Sequence, residues 1–274
     1  MVMKLQLFQV DAFASKTFEG NPAAVVPLDK WLSDEVMHKI AIENNLSETA
    51  FFIPAKPDED FDYHIRWFTP AIEVELCGHA TLATAHVLFN KLTPKATSIR
   101  FMSQSGILTV HKMADKIVLD FPARKPLPAS APTGAIEAIG MASGAIPFEV
   151  FRGERDYMFV YESAEDVLKL KPDFSTLKKA GLYGFICTAL GSSVEGGYDC
   201  VSRFFIPSYG VDEDPVTGSA HCQIAPYWAS QLGRNNLFAR QASARGGDLW
   251  LTLDGDRVKI AGNSVLVIEG TLHI

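Results

Sequence analysis

Apolar and polar positions alternate from residue 5 to 10, the period-two pattern of a half-buried strand. A turn signal, Phe18-Glu19-Gly20-Asn21-Pro22, precedes an apolar strand over 23–26. Ser33 is placed to cap a helix from 34 to about 43, with Val36, Met37, Ile40 and Ala41 on one face and Asp34 and Glu35 in its first turn. Asn44-Asn45 ends it. An apolar strand follows over 49–53, with Glu48 at its mouth and Pro54 at its end. After a charged loop (56–62) comes a strand over 63–68, and then a helix over about 80–89 that is apolar nearly all round. A helix of that kind is buried on most sides. His86, inside it, reads as a hydrogen-bonded core residue, whereas His79 stands at the helix start.

Strand-like runs follow at 98–101, 107–111 and 117–121. A proline-rich stretch from Pro122 to Pro128 lies near the chain midpoint and reads as an inter-domain linker. The second half predicts strands at 148–151, 157–161, 183–188, 199–206, 238–242, 249–253, 257–261 and 265–268, and short helices at 164–170 and 173–179. A longer helix is expected over 219–232, stopped by Gly233. Pro226 sits inside it and predicts a kink or a break.

The two helices near 80 and 219 follow similar segments. Arg66-Trp67-Phe68-Thr69-Pro70 leads through Val74 to Cys77-Gly78-His79-Ala80; Arg203-Phe204-Phe205-Ile206-Pro207 leads through Val211 to Asp214-Pro215-Val216-Thr217-Gly218-Ser219. Arg66 and Arg203, Pro70 and Pro207, and Val74 and Val211 are each 137 positions apart, which at constant offset sets Cys77 against Asp214. A duplication follows: two similar α+β domains, residues 1–122 and 123–274, with central helices at about 79–89 and 219–232 and a final strand free to pack on the other domain. A helix start offers unpaired N–H groups and a positive dipole end, so two such starts facing each other would hold a small carboxylate in a cleft.

Composition narrows the function. The 274 residues are 47% hydrophobic, enough for a sizeable core, and the net charge of −7 argues against a nucleic-acid partner held through phosphates. Cys77, Cys187, Cys200 and Cys222 form no C-x-x-C pair and read as reduced, buried thiols of a cytoplasmic protein. The N-terminal stretch reads as a strand, not a signal peptide, and no apolar run is long enough for a membrane span.

Phosphate-loop, dinucleotide, zinc-helix and serine-elbow motifs are lacking, Gly191-Ser192-Ser193 and Gly196-Gly197 read as ordinary loop residues, and the histidines lack metal-ligand spacing. No metal or cofactor is expected. What remains is acid/base work on a bound carboxylate by Glu48, His79 and Asp214, with the glycine turns holding the anion. A carboxyl at Glu48's position loses water, which favours its protonated form. From position alone, a solvated edge residue is the plainer reading.

Four motifs in order, Phe18-x-Gly20-Asn21-Pro22, Asn45-Leu46-Ser47-Glu48-Thr49, Cys77-Gly78-His79-Ala80-Thr81-Leu82-Ala83 and Glu213-Asp214-Pro215-Val216-Thr217-Gly218-Ser219-Ala220, resemble the PhzF-like proteins of phenazine biosynthesis, which share the diaminopimelate epimerase fold. The resemblance implies two pseudo-two-fold domains, each a barrel-like sheet round a central helix, with a cofactor-free isomerase site between them, and a homodimer. The family's best-understood member isomerises trans-2,3-dihydro-3-hydroxyanthranilic acid, and its proton-shuttling glutamate matches Glu48. Its supporting histidine, aspartate and serine match His79, Asp214 and Ser219. In this reading Gly78, Gly218 and Ser219 cradle the substrate carboxylate. Asn21 either lines the cleft or serves the turn.

Diaminopimelate epimerases use two cysteines, one at the start of each central helix. Cys77 stands at the first place, and the second turn has no thiol, which disfavours a two-thiol racemase. Cys77 reads as a structural thiol. The alternatives are an amino-acid epimerase or racemase using Glu48 or Cys77, and a binding protein that keeps the fold without catalysis.

Overall fold

The structure is a computed structural model that describes residues 3–140, 143–181, 183–191 and 197–274. Ser192, Ser193 and Gly196 lie outside the described residues. The chain forms two compact units, residues 1–120 with 261–274, and residues 121–260.

The first unit contains β1 (Lys4–Ala12), β2 (Asn21–Pro27), α1 (Asp34–Asn44), β3 (Glu48–Pro54), β4 (Tyr63–Phe68), β5 (Glu73–Val74), α2 (Gly78–Val87), β6 (Ser98–Ser103), β7 (Gly106–Met113), β8 (Lys116–Pro122, ending just past the boundary) and the last strand, β18 (Ser264–His273). Its strands pair in the order β18, β1, β2, β3, β4, β6, β7, β8, and β5 returns along β4. Only β2–β3 and β4–β6 are parallel. Parallel neighbours need a crossover. Helix α1 makes the first and α2 the second.

Helix α1 starts as its sequence dictates: Ser33 Oγ accepts from the Val36 N–H, and Asn45 closes the helix in the left-handed conformation. Met37, Ile40 and Ala41 bury against Val26, Phe51 and Phe68. Helix α2 has no polar face to offer water, since Ala80, Leu82, Ala83, Ala85 and Val87 are all fully buried. It lies against β1, β2, β3 and β18. It is shorter than its apolar run suggests: after Val87 the chain continues in one wider π turn through Leu92. His86 is held by Ser264 Oγ at 2.8 Å, the hydrogen-bonded role expected of it.

The second unit contains β9 (Leu127–Pro128), α3 (Ala135–Gly140), β10 (Glu149–Arg152), β11 (Tyr157–Tyr161), α4 (Ala164–Lys169), α5 (Phe174–Lys179), β12 (Phe185–Leu190), β13 (Cys200–Ile206), β14 (Val211–Asp214), α6 (Gly218–Leu232), β15 (Asn236–Gln241), β16 (Gly247–Asp254) and β17 (Arg257–Gly262). Its pairing repeats the first unit. β10–β11 is antiparallel, β11–β12 parallel, β12–β13 antiparallel, β13–β15 parallel across α6, and β14 folds back on β13. Helix α6 packs on β15 and β16, while Tyr227 Oη donates to Glu149 on β10 and Trp228 Nε1 to Thr188 on β12.

Of the kink or break expected at Pro226, the break does not occur: α6 is continuous from Gly218 to Leu232. Proline cannot donate to the carbonyl four residues back, and that carbonyl, on Cys222, is taken by the Arg124 N–H at 2.9 Å. The proline-rich stretch begins beside the boundary between the two units, where a linker is expected. The same Arg124 bond, the Ala123 N–H donating to Asp256 at 2.7 Å and Leu127–Pro128 paired to β10 hold it in place.

Candidate active site

The topology explains why Glu48 meets His79. Glu48 opens β3, and the next residue, Thr49, pairs with Phe68 at the end of β4. The chain leaves β4 there, returns through β5, and starts α2 at the same end of the sheet. Glu48 Oε2 lies 3.0 Å from His79 Nε2. That contact has the distance of an ion pair but not the alignment of a hydrogen bond. His79 is buried, and the Glu48 side chain is 17% exposed. On the other edge of the ring, Nδ1 lies 3.5 Å from Cys77 Sγ.

The electrostatics follow from this row. Burial alone would favour the neutral His79 ring; the Cys77 sulfur and the Glu48 carboxylate outweigh it and hold the imidazole above its ordinary range. Burial, together with the Glu48 charge, pushes the Cys77 thiol up to about 11, against the opposing pull of His79 and the Ala80 N–H. Glu48, Cys77 and His79 are close enough for their ligand atoms to lie within 4.8 Å of one another. The imidazole nevertheless turns one nitrogen to each neighbour, so the arrangement is a row through the ring and not a set of donors converging on one ion.

Cys77 is the N-cap of α2, and Gly78 is its first residue. Asn21 opens β2 and is fully buried; two residues later Ala23 pairs with Glu48. The turn before Asn21 is tightly specified. Buried Asp11 accepts from the Phe18 N–H at 2.8 Å, Phe18 is left-handed (φ 72°), and Gly20 has φ 65°. A Cβ on Gly20 would meet the Ala12 carbonyl oxygen at 2.1 Å, so only glycine fits.

The second turn lies in the second unit and is built differently. Thr217 is the N-cap of α6, followed by Gly218 and half-buried Ser219. The Thr217 hydroxyl donates to the Asp214 carboxylate. Gln241, fully buried on β15, accepts from the Thr217 N–H at 2.8 Å and donates to the Asp214 carbonyl at 2.8 Å and to Thr217 Oγ1 at 3.1 Å. Sequence reasoning missed Gln241, because its partners are distant in the chain and no local pattern marks it.

The repeat also changes register. Trp67 pairs with Val74 and Phe68 with Glu73; in the second unit Phe204 pairs with Asp214 and Phe205 with Glu213. Arg66 grips Glu73 through two bonds of 2.7 Å, and Arg203 grips Glu213 at 2.7 and 2.8 Å. The strands keep the offset of 137, but the return strands and helix starts are 140 apart. The three extra residues go into the 3-10 turn Pro207–Tyr209, closed by Gly210 at φ 90°. The counterpart of Cys77 is therefore Thr217, and Asp214 matches Val74, which corrects the constant-offset pairing. The second helix start still has no thiol.

Two sheet-dominated units, each with a buried crossover helix, define the α+β class of the diaminopimelate epimerase-like fold. A hydroxyproline epimerase from Agrobacterium vitis shares it at 13% identity and TM-score 0.65, covering 99% of this chain and 93% of that one, a likeness of fold alone. The chain belongs to the family described as phenazine biosynthesis-like protein, which matches residues 10–270. A crystal structure of a PhzF-family protein from Enterococcus faecalis aligns with TM-score 0.91 and 45% identity, over 99% of this chain and 100% of that one. A Pseudomonas aeruginosa protein named as an uncharacterized isomerase is 48% identical over 272 residues, 99% of this chain and 100% of its own. Among the described residues, no helix is long and apolar enough to cross a membrane.

Proposed function

We propose that the protein is an isomerase that moves a proton on a small carboxylate substrate, with Glu48 taking the proton and returning it and His79 supporting Glu48. The observation that supports this most is the Glu48–His79 pair, 3.0 Å apart, with the imidazole buried at the start of α2. A carboxylate base needs a partner whose charge steadies it in one protonation state and releases it in the other, and a histidine held above its ordinary range supplies that. Gly78 and its neighbours at the helix start present N–H groups to an anion. Gly218 and Ser219 offer the same chemistry at α6, beside the Asp214 carboxylate. Family membership and relatives named as isomerases support the reaction class.

The test is proton exchange in heavy water with trans-2,3-dihydro-3-hydroxyanthranilate, followed by NMR. Turnover with deuterium in the product, lost in Glu48→Gln, supports the reading; full turnover in that variant sinks it.

A second reading is an amino-acid epimerase, favoured by Cys77 lying 3.5 Å from His79. Thr217 in place of a second thiol and a first thiol raised to about 11 weigh against it. Exchange of an amino-acid α-proton that disappears in Cys77→Ser would promote it.

A further inference from the structure

Cys77 does not behave as a bystander in the core. Cys77 is the N-cap of α2 but makes no regular side-chain capping bond, with only a minor pull from the Ala80 N–H on its sulfur. Its sulfur instead lies against Nδ1 of His79 at 3.5 Å, while Nε2 of the same ring faces Glu48 at 3.0 Å. The contact to Glu48 is poorly aligned for a hydrogen bond. The ring therefore needs a hold from its other edge.

We propose that Cys77 is a positioning residue, whose thiol engages Nδ1 of His79 in both protonation states of the ring and so keeps the Nε2 edge on Glu48. A thiol is a weak donor and a weak acceptor. When Nδ1 carries a proton, the N–H donates a hydrogen bond to sulfur; when Nδ1 is bare, the S–H donates to it and the ring's remaining proton stays on Nε2. A carboxylate at position 77 could only accept, and a methyl group could do neither. With the thiol raised to about 11, its S–H is present across the neutral range. The ring can then gain or lose a proton without turning away from Glu48. The claim concerns the ring's geometry, and its use in turnover rests on the isomerase reading above.

The experiment is a pH series of long-range 1H–15N spectra on protein labelled at histidine nitrogens, with the His79 signals assigned by their loss in His79→Gln. Wild type and Cys77→Ser, which keeps a donor and an acceptor, are expected to show neutral His79 protonated at Nε2. Cys77→Ala is expected to show a mixture of tautomers and a shifted ionisation midpoint. An unchanged tautomer and midpoint in Cys77→Ala overturn the proposal. Should that variant fail to fold, the S–H stretch of wild-type Cys77, recorded above the His79 ionisation midpoint and assigned by difference against Cys77→Ser, decides: a stretch lowered by hydrogen bonding and restored in His79→Gln supports it, and an unperturbed stretch at that pH overturns it. A tautomer lost in Cys77→Ala while the wild type exchanges no proton on any small carboxylate tried sinks the isomerase reading alone. Loss of turnover in Glu48→Gln with His79 indifferent to Cys77 sinks the positioning role alone.

Discussion

Glu48 faces Nε2 of His79 at 3.0 Å, a contact between the first residue of one strand and the second residue of a buried helix. The carboxylate stabilises the imidazolium, so removing its charge must lower the histidine's affinity for a proton. In Glu48→Gln the His79 midpoint is expected to fall. An NMR pH titration of His79 measures it, and an unchanged midpoint would show that the carboxylate does not govern the ring.

The buried histidines predict a stability maximum near pH 6.5. Burial lowers His221 and His86 to about 4, the latter helped by Lys112 and Lys91. With an unfolded value near 6.5, their contribution is complete above that pH and is lost as pH falls toward 4, at up to about 1.4 kcal/mol per unit for each group. His79 has the opposite sign. Its folded value is raised, so its contribution is complete below about 6.5 and is lost as pH rises through the folded value. Urea unfolding at pH 4.5, 6.5 and 8.5 should give the highest stability in the middle, and His79→Gln should flatten the alkaline side.

Gln241→Ala removes three bonds at once and leaves the Thr217 N–H and the Asp214 carbonyl without this partner. Each buried group stripped of its partner costs about 1–3 kcal/mol, so a loss of roughly 2–4 kcal/mol in denaturant unfolding is expected. A loss below about 1 kcal/mol would mean that the second turn holds its shape without Gln241.

Gly20→Ala places a methyl group 2.1 Å from the Ala12 oxygen on a backbone at φ 65°. The left-handed conformation alone costs about 1–2 kcal/mol, and the clash adds to it. Because Ala12 pairs with Asn21, and Ala23 with Glu48, the displacement passes toward the site. Melting temperature should fall and the His79 signals should shift together; a stable variant with unmoved signals would separate the turn from the site.

How much could be read from the chain depended on the range of the interaction. Helix α1 carries its own cap and apolar face, and the apolar run of α2 announces a buried helix, so both were legible locally. Glu48 and His79 stood at a strand mouth and a helix start, positions that sequence can mark. Gln241 and the Arg124 bond to Cys222 depend on partners far along the chain, so nothing beside them predicts them. The change of offset between the repeats was hidden because proline follows the strand in both halves, which masks where the three extra residues of the second turn are accommodated.

The last strand pairs with the first: Lys4 lies opposite His273, and Ala12 opposite Ser264. Residues 121–260 form one unbroken stretch, while the first unit needs residues 261–274 to finish its sheet. A ribosome therefore delivers everything the second unit requires before it delivers the strand that covers the open edge of β1. Until then that edge is a row of unpaired N–H and C=O groups, a template for pairing with another chain. The half that carries Glu48 and His79 is begun first and completed last, and truncation within β18 would leave it the aggregation-prone half of the nascent protein.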